Sequence, residues 1–406
     1  MRAECRATGQ HAATERPSRK RHQLDGLTGT ASNVAASGAS PPYHCCQRTR
    51  GCTNCRTKRT GRWMRVLVSG GAGFVGGHVV SQLTEAGAVV AVVDDLSTGT
   101  EVNLAKTRDG DSHVQDLFVL NVSDPTLYDI VRAWQPEVIV HLAAQAYVRR
   151  SVRDPHHDAR TNILGTLNVI SAAAQHPVRK IVVASSGGTV YGRLNGGEDR
   201  AREDHPRVPV SPYGVSKAAG DMYLHVYREL SGLVATSLMV ANVFGPTAAG
   251  TPGPGVISSF AIALAESRRP VIYGDGTQTR DFVYVGDVAR AFVLACTAGD
   301  HELLNIGSGT EHSINQLLAL VGEAAGVVPD PIYESAERGE VERICLDVSR
   351  ADRVLGWRPT IALGDGLREI VGRLRSIGVP TPSSGGTTEG YGGTRLVAGR
   401  WAADHH

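Results

Sequence analysis

The chain has 406 residues, of which 41% are hydrophobic and 20% charged, and its formal net charge is +2. This composition is typical of a globular protein with a substantial core, built as one large domain or two. No apolar run reaches the length of a membrane-spanning helix, so the sequence predicts none. Cys296 and Cys345 lie far apart in the sequence, which fits a reducing compartment without disulfides, so we expect a cytoplasmic protein.

Residues 1–63 differ from the rest of the chain in charge and in cysteine content. They carry 12 Lys or Arg against 3 Asp or Glu, and they hold five of the seven cysteines. Within "CCQRTRGCTNC" only one CxxC pair is present and no second pair follows at zinc-finger spacing, so we predict no metal site. We interpret 1–63 as a disordered or non-native leader before Met64, and the Gly/Ser/Thr-rich segment 376–406 as a disordered tail.

Between these segments, short apolar runs alternate with helical patterns in chain order. Helical spacing is found at 74–83, 158–175 and 213–230, and the runs that predict strands are 65–70, 88–93, 117–121, 137–144, 180–186 and 235–242. Continuous apolar strands separated by helices indicate a parallel sheet covered on both faces. After residue 242 the alternation becomes irregular. We therefore predict an α/β fold, with a doubly wound parallel sheet over 64–241 and a smaller mixed α/β substrate-binding part over 242–375, partly interleaved with the first.

The first predicted strand is followed by a glycine-rich turn, "SGGAGFVGGH", in which Gly70, Gly73 and Gly76 are evenly spaced. Glycines permit a tight turn and let backbone N–H groups approach a pyrophosphate at the N-terminus of the next helix. Asp94 ends the second strand, where a carboxylate accepts hydrogen bonds from a ribose diol. The flank "DDLSTG" supplies no arginine for a 2′-phosphate. Residues 64–241 therefore predict a Rossmann-type domain that binds NAD rather than NADP.

The stretch "SPYGVSK" places Tyr213 and Lys217 on one face of a predicted helix. Taken alone, this spacing is more typical of a surface helix with a solvated cation. However, "SSGGTVYG" at 185–192 begins at the carboxyl end of a strand, the edge at which ligands bind in open parallel sheets. A tyrosine held there beside an ammonium and an oxidised nicotinamide would have a lowered pKa, because positive charge favours phenolate. We predict that Tyr213 is a base for a substrate hydroxyl and that Lys217 also holds the nicotinamide ribose.

Nine motifs occur in the order of one known family. They are "GGAGFVG", "DDLSTG", "HLAAQAYV", "TNILGTLN", "SSGGTVYG", "YGVSK", "NVFGP", "GDGTQTRDFVYVGDVA" and "LGWRP". Over 64–375 the chain thereby resembles the extended short-chain dehydrogenase/reductase superfamily, and within it the NAD-dependent sugar-nucleotide epimerase/dehydratase family, most closely the UDP-glucose 4-epimerases.

The resemblance implies an activity and partners. The activity is NAD-dependent epimerisation at C4 of a nucleotide-diphosphate sugar, such as UDP-glucose or UDP-galactose, through a transient 4-keto intermediate. The partners are the UDP-sugar substrate and a second copy of the chain, in a homodimer formed through 158–175 and 213–230. No nucleic acid and no membrane is implied.

The resemblance also implies a set of binding residues. On the cofactor side they are Phe74 and Val75 at the phosphates, Asn121 and Val122 in place of an adenine-binding aspartate, Leu142, Ala143 and Ala144 beneath the ribose, and Asn162. On the substrate side they are Asn242 and Arg280, and Arg338 of "ERGE", one place late relative to the family's arginine. An arginine suits a diphosphate because its planar fork donates two hydrogen bonds at once.

The motif "SSGGTVYG" departs from the family's pattern. Gly187 stands where the 4-epimerases often have a serine, while Thr189 is retained. Dehydratases of the family have an Asp–Glu pair here, and the "GGT" of this chain has neither acid, which favours epimerisation over water elimination. We predict that the hydroxyl assisting Tyr213 belongs to Thr189 or Ser186.

Three alternatives stay open from the sequence alone. The nearest is another sugar-nucleotide enzyme of the family, such as a UDP-glucuronate epimerase or decarboxylase, or an epimerase of N-acetylated sugars. The second is a catalytically silent NAD-binding sensor protein. The third is nucleic-acid binding through the basic leader, which salt-sensitive binding would reveal.

Overall fold

The structure, a computed structural model, describes residues 64–104, 114–194 and 199–376. The predicted leader at 1–63 lies outside the described residues, and so do residues 377–406 of the predicted tail. Within the described part of the chain, no helix is both long enough and apolar enough to cross a bilayer.

Twelve strands are formed by the described residues. They are β1 (Arg65–Ser69), β2 (Val89–Asp94), β3 (Val114–Val119), β4 (Val138–His141), β5 (Lys180–Ser186), β6 (Ala235–Val240), β7 (Asn242–Phe244), β8 (Val271–Tyr273), β9 (Thr279–Tyr284), β10 (Leu303–Ile306), β11 (Glu311–Ser313) and β12 (Ile332–Glu334). Seven of them form one sheet in the order β10-β6-β5-β4-β1-β2-β3, and every neighbouring pair in it is parallel. The predicted parallel sheet is therefore confirmed.

Helices cover both faces of this sheet. The α-helices of the described residues are α1 (Phe74–Glu85), α2 (Leu127–Trp134), α3 (Val148–Arg153), α4 (Pro155–Ala159), α5 (Gly165–Gln175), α6 (Pro212–Ser231), α7 (Val256–Ala265), α8 (Val285–Ala295), α9 (Ile314–Ala325), α10 (Ser349–Leu355) and α11 (Leu363–Ser376). One apolar cluster joins the sheet to α1, α8 and α10, and a second joins its other face to α2, α5 and α6. A third cluster packs α7, α9 and α11 together and forms the smaller part of the protein.

The smaller part shares the main sheet. β10 lies in the region predicted to bind substrate, yet it adds to the main sheet beside β6. β7, β9 and β11 form a separate three-stranded sheet, in which β9 pairs with β7 in parallel and with β11 in antiparallel fashion. The chain thus crosses between the two parts more than once, and the division at 241/242 stays a prediction about binding roles.

The helix predicted over 158–175 is interrupted in the structure. α4 ends at Ala159, a single π-helical turn spans Arg160–Leu164, and α5 begins at Gly165. The π turn inserts one extra residue, and the side chain of Asn162 within it is buried and hydrogen-bonded to Gln145 and Asp158. Such turns occur often at functional sites. Sequence periodicity missed the interruption because the hydrogen bonds that accompany it join residues outside the helix.

The carboxyl end of β4 holds a buried histidine that links stability to pH. The His141 ring forms two hydrogen bonds, one between Nδ1 and the Ser69 hydroxyl (2.7 Å) and one between Nε2 and the Thr166 hydroxyl (3.0 Å). Burial, aided by the charge of Lys217, lowers the pKa of His141 from 6.5 to about 3. The folded protein therefore holds this ring neutral, whereas the unfolded chain takes up a proton below pH 6.5.

We predict that the free energy of unfolding falls as the pH drops from 6.5 toward 3. Proton uptake by the unfolded chain makes this contribution about 1.4 kcal/mol per pH unit. Urea unfolding of the full chain at several pH values measures it. His141→Asn should flatten this slope, and His225→Asn, at an exposed position of α6, should leave it unchanged. An unaltered slope in His141→Asn would contradict the prediction.

Candidate active site

The predicted site residues lie where the parallel strands of the main sheet end. The glycine turn follows β1, Asp94 is the last residue of β2, and Leu142 follows β4. Ser186 ends β5, and Asn242 begins β7 directly after β6. In a parallel sheet these ends share one edge, so segments far apart in sequence meet there.

The glycine turn is shaped for close backbone contact. Gly70 has a φ of +74°, and a Cβ atom added to it would lie 2.5 Å from the backbone N of Ala143, so a larger residue would force β1 and β4 apart. A Cβ atom on Gly76 would overlap the carbonyl oxygen of Gly70. Gly73 precedes α1, and the amide of Gly73 donates to the same carbonyl (3.2 Å).

The N-terminus of α1 is open to an anion. The helix begins at Phe74 without a side-chain cap, and its first turn contains no acidic residue. Its first N–H groups are therefore left for a ligand, and the positive end of the helix dipole favours a phosphate. Phe74 packs against the Gly253 loop, and Val75 is half-buried beside it. The turn thus fits the diphosphate of a dinucleotide.

Asp94 is held rigidly at the end of β2. One carboxylate oxygen accepts from the amide of Ala72 and the other from the amide of Leu96, each at 2.9 Å. Burial raises the pKa of Asp94, and these two hydrogen bonds oppose the increase. Each oxygen retains a lone pair for a further donor, so the carboxylate fits a ribose diol as predicted.

The residues after β3 meet the loop after β2. The Asn121 amide donates to Asp95 (2.7 Å), and its carbonyl accepts from the amide and hydroxyl of Ser123. Val122 is buried and packs on Gly165 of α5. The Asn121 side chain therefore holds two loops together, and its contact with an adenine stays a prediction.

Three residues after β4 lead into a second fixed loop. Leu142, Ala143 and Ala144 are half-buried and pass the glycine turn at Gly70. Asn162 supports the end of this loop from behind, because its amide accepts from the amide of Gln145 (2.9 Å) and donates to its carbonyl (2.8 Å). The structure places Asn162 under the loop predicted to meet the cofactor.

The helix α6, which carries Tyr213 and Lys217, begins at the site because of its first residues. The Ser211 hydroxyl accepts from the amide of Gly214 (3.2 Å), and Pro212 occupies the first helical position. The Tyr213 amide donates to the Ser151 hydroxyl (3.1 Å), which fixes the first turn to α3. Tyr213 and Lys217 therefore face the sheet edge, and the Lys217 ammonium lies 5.8 Å from the centre of the Tyr213 ring.

Burial dominates the titration of this pair. It raises the pKa of Tyr213 to about 12, while a side-chain hydrogen bond with Ser186 opposes the increase and the charge of Asp158 adds to it. Burial lowers the pKa of Lys217 to about 8, against the raising effect of Asp221 and Asp158. The predicted lowering of the tyrosine pKa applies with an oxidised nicotinamide beside the ring, so it stays a prediction. In the chain by itself desolvation dominates, and the Lys217 ammonium donates to the Ala184 carbonyl (3.0 Å).

The two candidate hydroxyls differ in their partners. The Ser186 hydroxyl opposes the rise in the pKa of Tyr213, so it lies near the phenol. Among the described residues, the buried Oγ1 of Thr189 has no hydrogen-bond partner, which is costly unless a ligand supplies one. A serine could not replace Gly187 without movement, because its Cβ would lie 2.6 Å from Leu346 and 2.9 Å from the Met239 carbonyl.

The predicted substrate residues are brought together only in part. Asn242 lies beside the glycines after β5, its Oδ1 3.3 Å from where a Cβ on Gly188 would be. Arg280 of β9 is largely buried, and it pairs with Glu340 (3.3 Å). Burial lowers the pKa of Arg280, and Glu340 opposes this shift. Arg338 is exposed in a turn. The residue of this segment that contacts Arg280 is Glu340, whose carboxylate accepts from the guanidinium.

Several residues of the site were missed by sequence reasoning. They are Gln145, Asp158, Ser216, Asp221 and Glu340, whose side chains join the predicted residues through hydrogen bonds or charge. Asp221 follows Tyr213 and Lys217 at the next four-residue step of α6, so helical spacing could have identified it. No signal of comparable strength marks Asp158, because its partners come from three separate segments.

The family described as the NAD dependent epimerase/dehydratase family matches residues 66–307. The chain belongs to this family. The predicted family, the Rossmann-type fold, the enzyme class and NAD as the cofactor are confirmed by this match and by the relatives below. The described residues contain no group of three or more His, Cys, Asp or Glu placed to hold a metal ion.

Three relatives illustrate the similarity. UDP-glucose 4-epimerase of Mycolicibacterium smegmatis is 40% identical over 314 residues, which cover 77% of this chain and 99% of that protein. The crystal structure of UDP-glucose 4-epimerase with UDP-glucose from Thermotoga maritima is 38% identical, with a TM-score of 0.72 over 77% of this chain and 99% of that one. The Thermus thermophilus UDP-glucose 4-epimerase, in complex with NAD, is 39% identical, with a TM-score of 0.71 and the same coverage.

We predict that Gly76→Ala weakens NAD binding at least tenfold, because the added methyl group overlaps the Gly70 carbonyl and opens the turn. Isothermal titration calorimetry of the full chain with NAD, after removal of bound cofactor, measures this. The matched control is Gly372→Ala in α11, where an added Cβ meets nothing within 4 Å. The control should bind NAD like the original chain, and equal affinity in both variants would contradict the prediction.

Proposed function

We propose that this chain catalyses NAD-dependent epimerisation at C4 of UDP-glucose and UDP-galactose. One observation carries the proposal: Tyr213, whose pKa is influenced by the Ser186 hydroxyl, is followed one turn later by Lys217 at the edge where β5 ends, and Thr189, three residues after Ser186, has an unpartnered buried hydroxyl. The acids that water elimination requires are absent from "GGT". The similarity to three UDP-glucose 4-epimerases supports the choice of substrate.

Different residues of the chain would bind different parts of the cofactor and of the substrate. The glycine turn and α1 would hold the cofactor's diphosphate, Asp94 its adenosine ribose, and Lys217 its nicotinamide ribose. When bound, NAD supplies the acceptor and donor of a hydride at the sugar's C4. Asn242 and Arg280, with Arg338 on the neighbouring turn, would hold the nucleotide diphosphate, while the absence of a side chain at Gly188, beside Asn242, would leave the sugar room to turn over as a 4-keto intermediate.

The proton at the sugar's 4-hydroxyl is moved by Tyr213. Tyr213 accepts it as the phenolate when the hydroxyl becomes a ketone, and the resulting phenol returns it when the ketone is reduced on its other face. The Ser186 hydroxyl lowers the pKa of Tyr213 and so favours the phenolate present before the first and after the second proton transfer. Thr189 has a free buried hydroxyl with which to hydrogen-bond the sugar, so it positions C4 while Tyr213 exchanges the proton.

We predict that the full chain, incubated with UDP-galactose and NAD, forms UDP-glucose, and that Tyr213→Phe lowers kcat by about 10³-fold through loss of the proton-transfer group. Tyr128→Phe, on α2 away from the site, is the matched control and should retain activity. Thr189→Val should lower kcat more than Thr189→Ser, which keeps the hydroxyl.

Other outcomes of this assay point elsewhere. Turnover of UDP-glucuronate or UDP-N-acetylglucosamine alone would replace the substrate but keep the mechanism. Release of bound NAD on denaturation, with no turnover of any of these sugars, would support the sensor alternative. Full activity of Tyr213→Phe would refute the proposed base.

We also infer that two copies of the chain associate through α6. Val215, Met222, Tyr223, Val226 and Leu230 are exposed apolar residues along this helix, between 37% and 78% accessible. Exposed apolar patches of this kind mark interaction sites. Near the start of α6 the same surface continues into a groove of about 460 Å³, lined largely by apolar residues of α4 and the segment before α6. A second α6 is the complementary partner, and the family resemblance supports a homodimer through these helices.

We predict that Val226→Glu converts a dimer into a monomer, because a charge is placed in the apolar contact. Sedimentation equilibrium of the full chain measures the mass. Val328→Glu introduces the same charge at a residue that is 93% exposed elsewhere, and it should stay dimeric. A monomeric original chain, or a dimeric Val226→Glu variant, would contradict the inference.

We propose the cytoplasm as the compartment. Both cysteines of the described residues, Cys296 and Cys345, are free and buried. Unpaired cysteines are typical of proteins in reducing compartments. Burial also raises the pKa of each thiol, to about 12 and about 11, so neither is a reactive thiolate.

A further inference from the structure

Asp158 of α4 is a fully buried carboxylate outside the set of residues assigned so far. One of its oxygens accepts from the Ser216 hydroxyl (2.7 Å). The other accepts from the side-chain amides of Asn162 (2.8 Å) and Gln145 (3.0 Å). These donors come from α6, the π turn and the loop after β4. A single carboxylate thus joins the catalytic helix to the loop that passes the glycine turn.

The negative charge of Asp158 is not needed for these hydrogen bonds alone. All three donors are neutral, and burying an ionised carboxylate among neutral groups is costly. The three hydrogen bonds by themselves therefore do not explain why a charged carboxylate is buried here at a cost in free energy. A function for the charge is indicated by its neighbours, since it acts on both Tyr213 and Lys217.

Four titratable groups face the Lys217 ammonium or share its surroundings. Tyr213 and Asp221 belong to α6, Asp158 to α4, and His141 to β4. Burial lowers the pKa of His141 to about 3, so this ring is neutral and leaves the two carboxylates as the charges that oppose desolvation of the lysine.

The two carboxylates are not equivalent. Asp221 accepts from Ser185 (2.8 Å) and Ser237 (2.5 Å), and it also has Arg207 at 3.7 Å, whose positive charge offsets part of its own. The donors to Asp158 carry no charge. Asp221 has the larger effect on the pKa of Lys217, and Asp158 adds to it with a charge that no cationic hydrogen-bond donor offsets.

We propose that Asp158 is a positioning residue for the reaction: its hydrogen bond to Ser216 fixes the first turns of α6, and its charge holds Lys217 protonated. This inference rests on the proposed function, because it gives Tyr213 and Lys217 their roles at the substrate and cofactor. Ser216 lies directly before Lys217, so the hydrogen bond restrains the backbone that carries both side chains.

The sign of the effect follows from the charge. A negative group nearby favours the ammonium, so removing it makes Lys217 lose its proton at a lower pH. The activity at alkaline pH should then fall earlier, because the charged lysine is lost. The hydrogen bond to Ser216 has a different signature. Its removal leaves the charge in place, so kcat should fall without a change in the pH at which activity is lost.

The experiment compares the pH dependence of kcat in four variants of the full chain. In Asp158→Asn the alkaline limb, which is the fall of kcat at high pH, should begin about one pH unit lower. At a given pH on that limb, kcat should therefore be about tenfold lower. Asp158→Glu retains the charge and should restore the position of the limb. Ser216→Ala should lower kcat a few fold with the limb unmoved. The matched control, Asp287→Asn, removes a buried carboxylate of α8 that binds Thr360 and Ile361, and it should not move the limb.

A second measurement is independent of turnover. The rate at which acetic anhydride labels Lys217, followed by mass spectrometry across pH, reports the fraction of neutral amine. The midpoint should lie lower in Asp158→Asn than in the original chain, and Asp287→Asn should match the original chain. If the original chain epimerises no UDP-sugar, the proposed function fails, and the labelling still decides the role of Asp158.

The inference is overturned if Asp158→Asn keeps both the original alkaline limb and the original labelling midpoint, since any loss of activity would then be structural. Should Asp158→Asn fail to fold, Asp158→Ser offers a smaller neutral side chain with space for water. Its labelling midpoint is interpreted in the same way. An unchanged kcat in Ser216→Ala would refute the part of the proposal that concerns the hydrogen bond.

Discussion

The site depends on the backbone contact between the turn after β1 and the loop after β4. No side chain fits between Gly70 and Ala143, so the two parallel strands end within touching distance of each other. This contact leaves the N-terminus of α1 uncapped at the sheet edge and directs the loop of Ala144 and Gln145 past it. The binding surface for a dinucleotide is therefore made mostly of backbone, and side chains such as Asp94 refine it.

The chemistry of the site is set by burial as much as by the identity of its residues. Desolvation raises the pKa of Tyr213 and lowers that of Lys217, so it favours the uncharged form of each side chain. The Ser186 hydroxyl opposes the shift of Tyr213, and the carboxylates of Asp221 and Asp158 oppose the shift of Lys217. The tyrosine is a poor base in the chain alone, and a positively charged ligand nearby would favour its phenolate. The same neighbourhood holds His141 neutral, which connects the catalytic region to the stability of the fold.

The smaller part of the protein is joined to the main sheet by polar contacts near the substrate residues. Asp281 follows Arg280 in β9, and its buried carboxylate accepts from Ser308 (2.7 Å), Gly309 (3.1 Å) and Leu346 (3.2 Å). Leu346 in turn fills the space beside Gly187. The position of Arg280 and the packing beside Gly187 are therefore connected through one carboxylate.

The sequence by itself determined the parallel sheet, the glycine turn, Asp94 and the Tyr213–Lys217 pair, because each depends on local periodicity or on spacing within a short motif. Only the tertiary structure decided that β10 joins the main sheet, that a π turn interrupts the helix at Asn162, and that Glu340 meets Arg280. It also decided the burial that raises the pKa of Tyr213 and the partners of Asp158. These features depend on contacts between residues far apart in the chain, and neither periodicity nor motif spacing contains that information.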